Sequence, residues 1–198
     1  MKQNRHCFTL VEILMVTGMI CMIAALIVVA YNGVYRSWST GNTVATMKAA
    51  HLALDRYMLE NNSYPVQAWD NGNNGSSAGY LRFSTNSSSA PSVVKLAKDI
   101  LQECAPYSYE TSNHVVIFDD FGAKPPATPN AIHYVFPYGN RGFALMSKGK
   151  DGVWGGNDDI IYLSAGDPDH GLKPGFYNCS IESDGDIASY TDIEPIAQ

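Results

Sequence analysis

Apolar positions fall into distinct regimes along this chain. From Phe8 to Ala30 they form one run, FTLVEILMVTGMICMIAALIVVA. A bilayer core takes about 20 apolar residues as a helix, so the run is long enough to span. Further on, apolar residues are spaced instead: Val44, Met47, Leu54 and Tyr57, with Leu52 and Met58 beside them. Intervals of three and four place them on one helix face. Between these regimes, Asn32-Gly33 and Ser39-Thr40-Gly41 predict local loosening of the helix. Asn61-Asn62-Ser63-Tyr64-Pro65 ends it, because a residue before proline is driven out of the α region. The pattern predicts one helix from Phe8 to about Asn61, apolar in its first half and amphipathic in its second.

After that helix the pattern shortens. Trp69 to Ser89 is rich in Gly, Asn and Ser with isolated aromatics at Tyr80 and Phe83, and reads as a surface loop. Pro91 to Cys104 predicts a second helix, with proline in its first turn and apolar contacts from Val94, Leu96, Ala97, Ile100 and Leu101. His114–Phe118, Ile132–Phe136 and Gly142–Met146 read as strands, with Ile160–Leu163 a short addition. Tyr138 to Gly142 suits a hairpin connection. The expected class is α+β: a long N-terminal helix whose amphipathic half packs on a small antiparallel sheet. The divisions are a basic leader at 1–7, a membrane part at 8–30, an amphipathic part at 31–62 and a globular region at 63–198.

Charge adds orientation. The 198-residue chain carries a formal net charge of −6, but its first residues are basic through Lys2 and Arg5. Positive residues before a span favour a cytoplasmic N-terminus, which puts everything after Tyr31 on the far side of the membrane. A cleavable secretory signal is the alternative, though its apolar core is shorter, about 7–15 residues. The globular region has no basic stripe, so no nucleic-acid partner is expected. Of four cysteines, only Cys104 and Cys179 lie beyond the membrane part. They form either one disulfide or two separately buried thiols.

Within the apolar run Glu12 is the lone carboxylate, and a charge at that depth needs a partner. Cys7-Phe8-Thr9-Leu10-Val11-Glu12 resembles the class III signal of type IV pilin-like proteins. The resemblance implies that a prepilin peptidase cuts between Cys7 and Phe8 and that Phe8 is then methylated. It also implies that subunits pack into a homopolymer filament through their apolar helices. Glu12 would there pair with the N-terminal amine of a neighbour; the alternative is that it snorkels to the headgroups. Cys7 is the departure, since the family carries glycine before the cut. An uncut chain stays a membrane-anchored precursor without that free amine.

Two further stretches narrow the resemblance. Ala53, Leu54, Tyr57, Asn61 or Asn62, Tyr64 and Pro65 are similar to the helix end of major pseudopilins of type II secretion. Ser147-Lys148-Gly149-Lys150-Asp151-Gly152-Val153-Trp154-Gly155-Gly156-Asn157-Asp158-Asp159-Ile160 is similar to the calcium loop of those proteins. Its chemistry suits a hard cation, which takes 6–8 oxygens, roughly, from carboxylates and carbonyls on a flexible loop. By the resemblance, Asp151 and Asp158 are side-chain ligands and Lys148, Val153 and Gly156 offer carbonyls. Asp159 is either a ligand or an acceptor behind the ligands. The plain alternative is a solvated Asp/Gly turn.

Enzymatic signals are weak. The five histidines, His6, His51, His114, His133 and His170, lack metal spacing, and neither Ser147 nor Ser164 lies in a nucleophile elbow. Asp119-Asp120 reads as a turn before Phe121-Gly122, since neighbours on a strand end point apart. The expectation is a non-enzymatic pseudopilus subunit in the inner membrane with a periplasmic domain. Implied partners are copies of itself, prepilin peptidase, inner-membrane secretion assembly proteins and minor pseudopilins. Rivals are a type IV pilin for adhesion, motility or DNA uptake, and a membrane-tethered periplasmic binding protein or enzyme.

Overall fold

A computed structural model describes residues 9–65, 82–85, 90–111, 114–122, 130–138, 142–181 and 190–196. The chain divides into two units, Met1–Trp38 and Ser39–Gln198. Helix α1 runs from Leu10 to Asn61, 52 residues, and neither Gly33 nor Gly41 interrupts it. The loosening expected at those glycines is absent; a single glycine costs only about 1 kcal/mol, which the continuous ladder of a 52-residue helix absorbs.

The first unit is helical and apolar on every side. Its large side chains stay exposed, Leu26 at 71% and Val29 at 74% among them. The helix is long and apolar enough to cross a membrane, with a mean hydropathy of 2.8 over its most apolar stretch. An all-round apolar helix finds its solvent in lipid or in other helices. Thr17 fits that setting because its hydroxyl donates back to the carbonyls of Ile13 and Leu14, at 3.0 Å each.

In the second unit α1 becomes amphipathic. Val44, Met47, Ala50, Ala53 and Leu54 are buried, while Leu52 is 60% exposed. The helix stops as its residues require: Asn62 takes a left-handed φ of 58°, and Asn61 Nδ2 donates to the Tyr57 carbonyl at 2.9 Å. Tyr64 then donates to Asp55 Oδ1 at 2.9 Å, and Tyr134 donates to the Pro65 carbonyl at 3.0 Å. Helix α2, Pro91–Glu103, starts with its proline in the first turn and buries Leu96, Ala97 and Ile100 in the same core as α1.

Two antiparallel sheets follow. One holds β1 (Arg82–Ser84), β2 (Ser108–Glu110) and β3 (His114–Ile117) in the order β1-β3-β2. The other holds β4 (His133–Tyr138), β5 (Gly142–Ser147), β6 (Asp159–Leu163), β7 (Gly175–Ile181) and β8 (Tyr190–Pro195) in chain order. A single small sheet was too simple an expectation. β1 lies inside the stretch read as loop, its backbone paired from Arg82↔Val116 to Ser84↔His114. Both outer strands of the larger sheet contain a proline, Pro137 in β4 and Pro195 in β8. The register shifts between Val135 and Tyr138 on β4 and between Asn178 and Ser180 on β7.

The larger sheet is buried on both faces through its middle strands, while β8 is largely exposed. Phe143, Leu145 and Ile160 pack with α1 and α2, whereas Ala144, Met146, Ile161, Leu163, Cys179 and Ile181 form a second cluster. Trp154 and Leu172 pack against that second cluster. All six residues of β5 are buried, which is why it reads as a continuous apolar run without alternation. Full burial of each large side chain contributes about 1.5–3 kcal/mol before entropy is set against it.

This arrangement corrects one cysteine expectation. Cys104 and Cys179 are free, and each belongs to a different one of the two clusters, so they do not form a disulfide. Cys104 donates instead toward the Thr46 carbonyl at 3.9 Å, and burial pushes both thiols up to about 12.

Candidate functional site

The turn between β5 and β6 is built by its glycines and aspartates. Gly149, Gly152 and Gly155 take left-handed φ values of 63°, 71° and 104°, a region that only glycine enters freely. The chain curls so that Asp158 Oδ2 accepts the N–H of Lys150 at 2.7 Å and of Asp151 at 3.2 Å. Asp151 Oδ1 accepts the N–H of Val153 at 2.8 Å. One oxygen of each carboxylate therefore shapes the loop. The other two converge: a Cβ on Gly156 would strike Asp158 Oδ1 and lie 3.0 Å from Asp151 Oδ2. Glycine at 156 is what lets the pair meet.

Asp159 does something different. It is fully buried, and its Oδ2 accepts from Gly155 at 3.1 Å and from Ile181 at 3.0 Å, tying the loop to β7. Its Oδ1 is buried with no hydrogen-bond partner among the described residues. Burial, chiefly, raises its pKa to about 6, with Asp158 and Asp151 adding repulsion. An orphaned buried carboxylate oxygen is costly, and a nearby cation or a proton relieves it.

The residues fit a hard cation through mixed donors. Among the described residues no three His, Cys, Asp or Glu side chains converge as a metal group. Two carboxylate oxygens converge, so a cation held there would draw its further oxygens from carbonyls on the same turn or from water, a donor set that suits calcium better than zinc. Asp151 and Asp158 are brought together, with Gly156 between them; Asp159 anchors the loop from behind. Lys148 and Val153 flank the cradle in sequence, and Lys148 Nζ stands 5.4 Å over the Trp154 ring. His133, under the same loop, meets Trp154 edge-on at 5.0 Å, and burial with Lys148 nearby lowers it to about 4.

At the start of α1 the structure gives Glu12 a local partner. Glu12 Oε2 accepts from the Thr9 N–H at 2.8 Å and the Thr9 hydroxyl at 2.9 Å, while the Glu12 N–H donates to Thr9 Oγ1 at 3.3 Å. This is a capping box, and its signature Thr-x-x-Glu was present in the sequence. The cleavage and methylation positions, Cys7 and Phe8, lie outside the described residues. Asp119 and Asp120 form the expected turn: Asp119 Oδ1 accepts from Phe121 and Gly122, at 3.1 Å each.

One polar chain escaped the sequence. Tyr162 bonds His51 Nδ1 at 2.8 Å, His51 Nε2 meets Asp55 at 2.8 Å, and Asp55 accepts from Tyr64. It joins β6 to the end of α1 with aromatic rings packed around it, and reads as a core clamp. Comparisons with family models, curated proteins and solved structures returned no match.

Proposed function

We propose that this chain is a type IV pilin-like structural subunit, nearest to a major pseudopilin of type II secretion. The observation that carries the reading is the Phe8-Thr9-Leu10-Val11-Glu12 motif opening a helix that is apolar on all sides and then amphipathic to Asn61. In this reading the apolar half of α1 sits in the inner membrane, with the N-terminus cytoplasmic and the domain periplasmic. Assembly draws that half into a filament core, where helix packing replaces lipid. The chain acts as a structural part and not as an enzyme.

With the capping box, Glu12 has a two-stage role in this reading. In the monomer Thr9 offsets part of the cost of the charge by donating two hydrogen bonds to it. On assembly the same carboxylate accepts the amine of a neighbour, so only one axial offset between helices satisfies it. Calcium at Asp151 and Asp158 would fix the loop of the domain, and binding that favours the folded form stabilises it by mass action.

Mass spectrometry of the native protein tests the class. The expected N-terminus is N-methylated Phe8, with residues 1–7 gone. An intact Met1 on protein from membranes that hold an active prepilin peptidase would refute it and favour a plain tether.

A further inference from the structure

Between the 147–159 turn and helix α1 runs a continuous set of side-chain bonds. Ser147 Oγ donates to Asp119 Oδ2 at 2.6 Å and accepts the Gly149 N–H at 3.2 Å. Asp119 is 1% exposed and is also held by the N–H groups of Phe121 and Gly122. Its neighbour continues the path: the Asp120 N–H donates to Thr43 Oγ1 at 3.2 Å, and Asp120 Oδ2 accepts from Asn42 Nδ2 at 2.8 Å. All of these residues belong to the second unit.

A second contact runs beside the first. The Asp119 N–H donates to the Asn130 carbonyl at 3.0 Å. The Asn130 amide stands between two glycines. A Cβ on Gly122 would lie 2.8 Å from its Cγ, and one on Gly152 would lie 3.3 Å from its Oδ1. The loop thus touches the 119–122 turn directly at its entry, through Ser147, while at its middle Gly152 reaches that turn only by way of the Asn130 side chain. That turn in turn is fastened to α1 by two bonds.

We propose that Asp119 is a positioning residue that makes cation binding in the 147–159 loop and docking of the 119–122 turn on Asn42 and Thr43 one coupled equilibrium. This rests on the calcium reading of the loop. Asp119 accepts three bonds in a closed interior, so it has no room for gradual displacement. A loop that shifts Gly149 either takes its N–H away from Ser147 Oγ or carries Ser147 with it. In the second case Asp119 must follow or a buried carboxylate is left short of a donor, which is costly. Coupling of this kind is reciprocal: what calcium does to the helix contact, the helix contact does to calcium affinity.

The test uses the full chain in detergent micelles with calcium ion as the probe. Affinity is read by calorimetric titration, and amide exchange is read over Asn42–Met47. Calcium should slow exchange there in the unmodified protein. Asp119→Asn should weaken calcium about tenfold and abolish the slowing. Thr43→Val, which touches no part of the loop, should weaken calcium about fivefold. Met47→Ala serves as a control for general loosening of the same helix; it should lower the melting temperature and leave affinity within about twofold. If Asp119→Asn does not fold, Ser147→Ala removes the same link and decides. Calcium affinity unchanged in Thr43→Val, and in folded Asp119→Asn or Ser147→Ala, overturns the coupling while the cation site stands. No calcium binding by the unmodified chain overturns the cation reading and the coupling with it.

Discussion

Two buried groups beneath the 147–159 loop should pull the stability of the domain in opposite directions with pH. Asp159 titrates near 6 when folded, against 3.8 when free. Its native form holds a proton more tightly than the unfolded chain does. That contribution is full below 3.8 and is lost as pH rises through about 6. His133 titrates near 4, against 6.5. Here the unfolded chain takes the proton, so its contribution is present above 6.5 and lost as pH falls through about 4. At about 1.4 kcal/mol per pH unit, each gap corresponds to about 3 kcal/mol. The two nearly cancel between these limits. Asp119, raised chiefly by burial, adds in the direction of Asp159.

Single variants should therefore uncover slopes that the unmodified protein hides. Asp159→Asn keeps an acceptor for Gly155 and Ile181 but cannot ionise. Its stability should rise by up to about 3 kcal/mol as pH goes from the acid to the neutral end of that window. His133→Phe keeps a ring against Trp154, and its stability should fall by a similar amount over the same window. Urea unfolding of the full chain in micelles with chelator present, followed by tryptophan fluorescence, measures both. Equal slopes in the two variants would sink the reasoning, because only opposite signs follow from a buried acid and a buried base.

Two further outcomes follow from geometry. Gly149→Ala faces both a φ of 63° and the Asp158 backbone, whereas Gly171→Ala faces a φ of 68° and open space. The first should cost more than about 2 kcal/mol and the second about 1, so equal shifts in thermal melting would refute the close approach. Met47→Ala removes a fully buried side chain and should cost about 2–5 kcal/mol, against about 0.5 or less for Leu52→Ala on the exposed face. Chemical denaturation checks the pair; similar losses would mean that the buried face of α1 is misassigned.

How far the sequence went depended on length. α1 and α2 were legible because Val44, Met47 and Leu54, or Leu96 and Ile100, repeat at helical spacing over several turns. β3 to β6 were legible as β-branched or aromatic runs bounded by turn residues, yet their two faces were not, since Phe143-Ala144-Leu145-Met146 is apolar throughout and carries no alternation. β1 and β2, at three residues each, are too short for any period. β7 and β8 hide behind Asn178, Asp192, Glu194 and Pro195, residues that strands usually avoid. In the candidate site, the glycines and aspartates marked the loop, and the resemblance singled out Asp151 and Asp158. The Ser147–Asp119 bond joins residues 28 positions apart, and no local pattern announces such a contact.

The outer strands of the larger sheet bear on how this domain behaves in a crowd. Pro137 and Pro195 have no N–H to offer, and the shifted register beside each breaks the even ladder that an arriving strand would need. A strand arriving from a neighbouring copy therefore meets no evenly open ladder on either outer strand of the larger sheet. Disordered clumping through β-pairing is thereby discouraged, and the domains can be concentrated side by side without losing their separate identities.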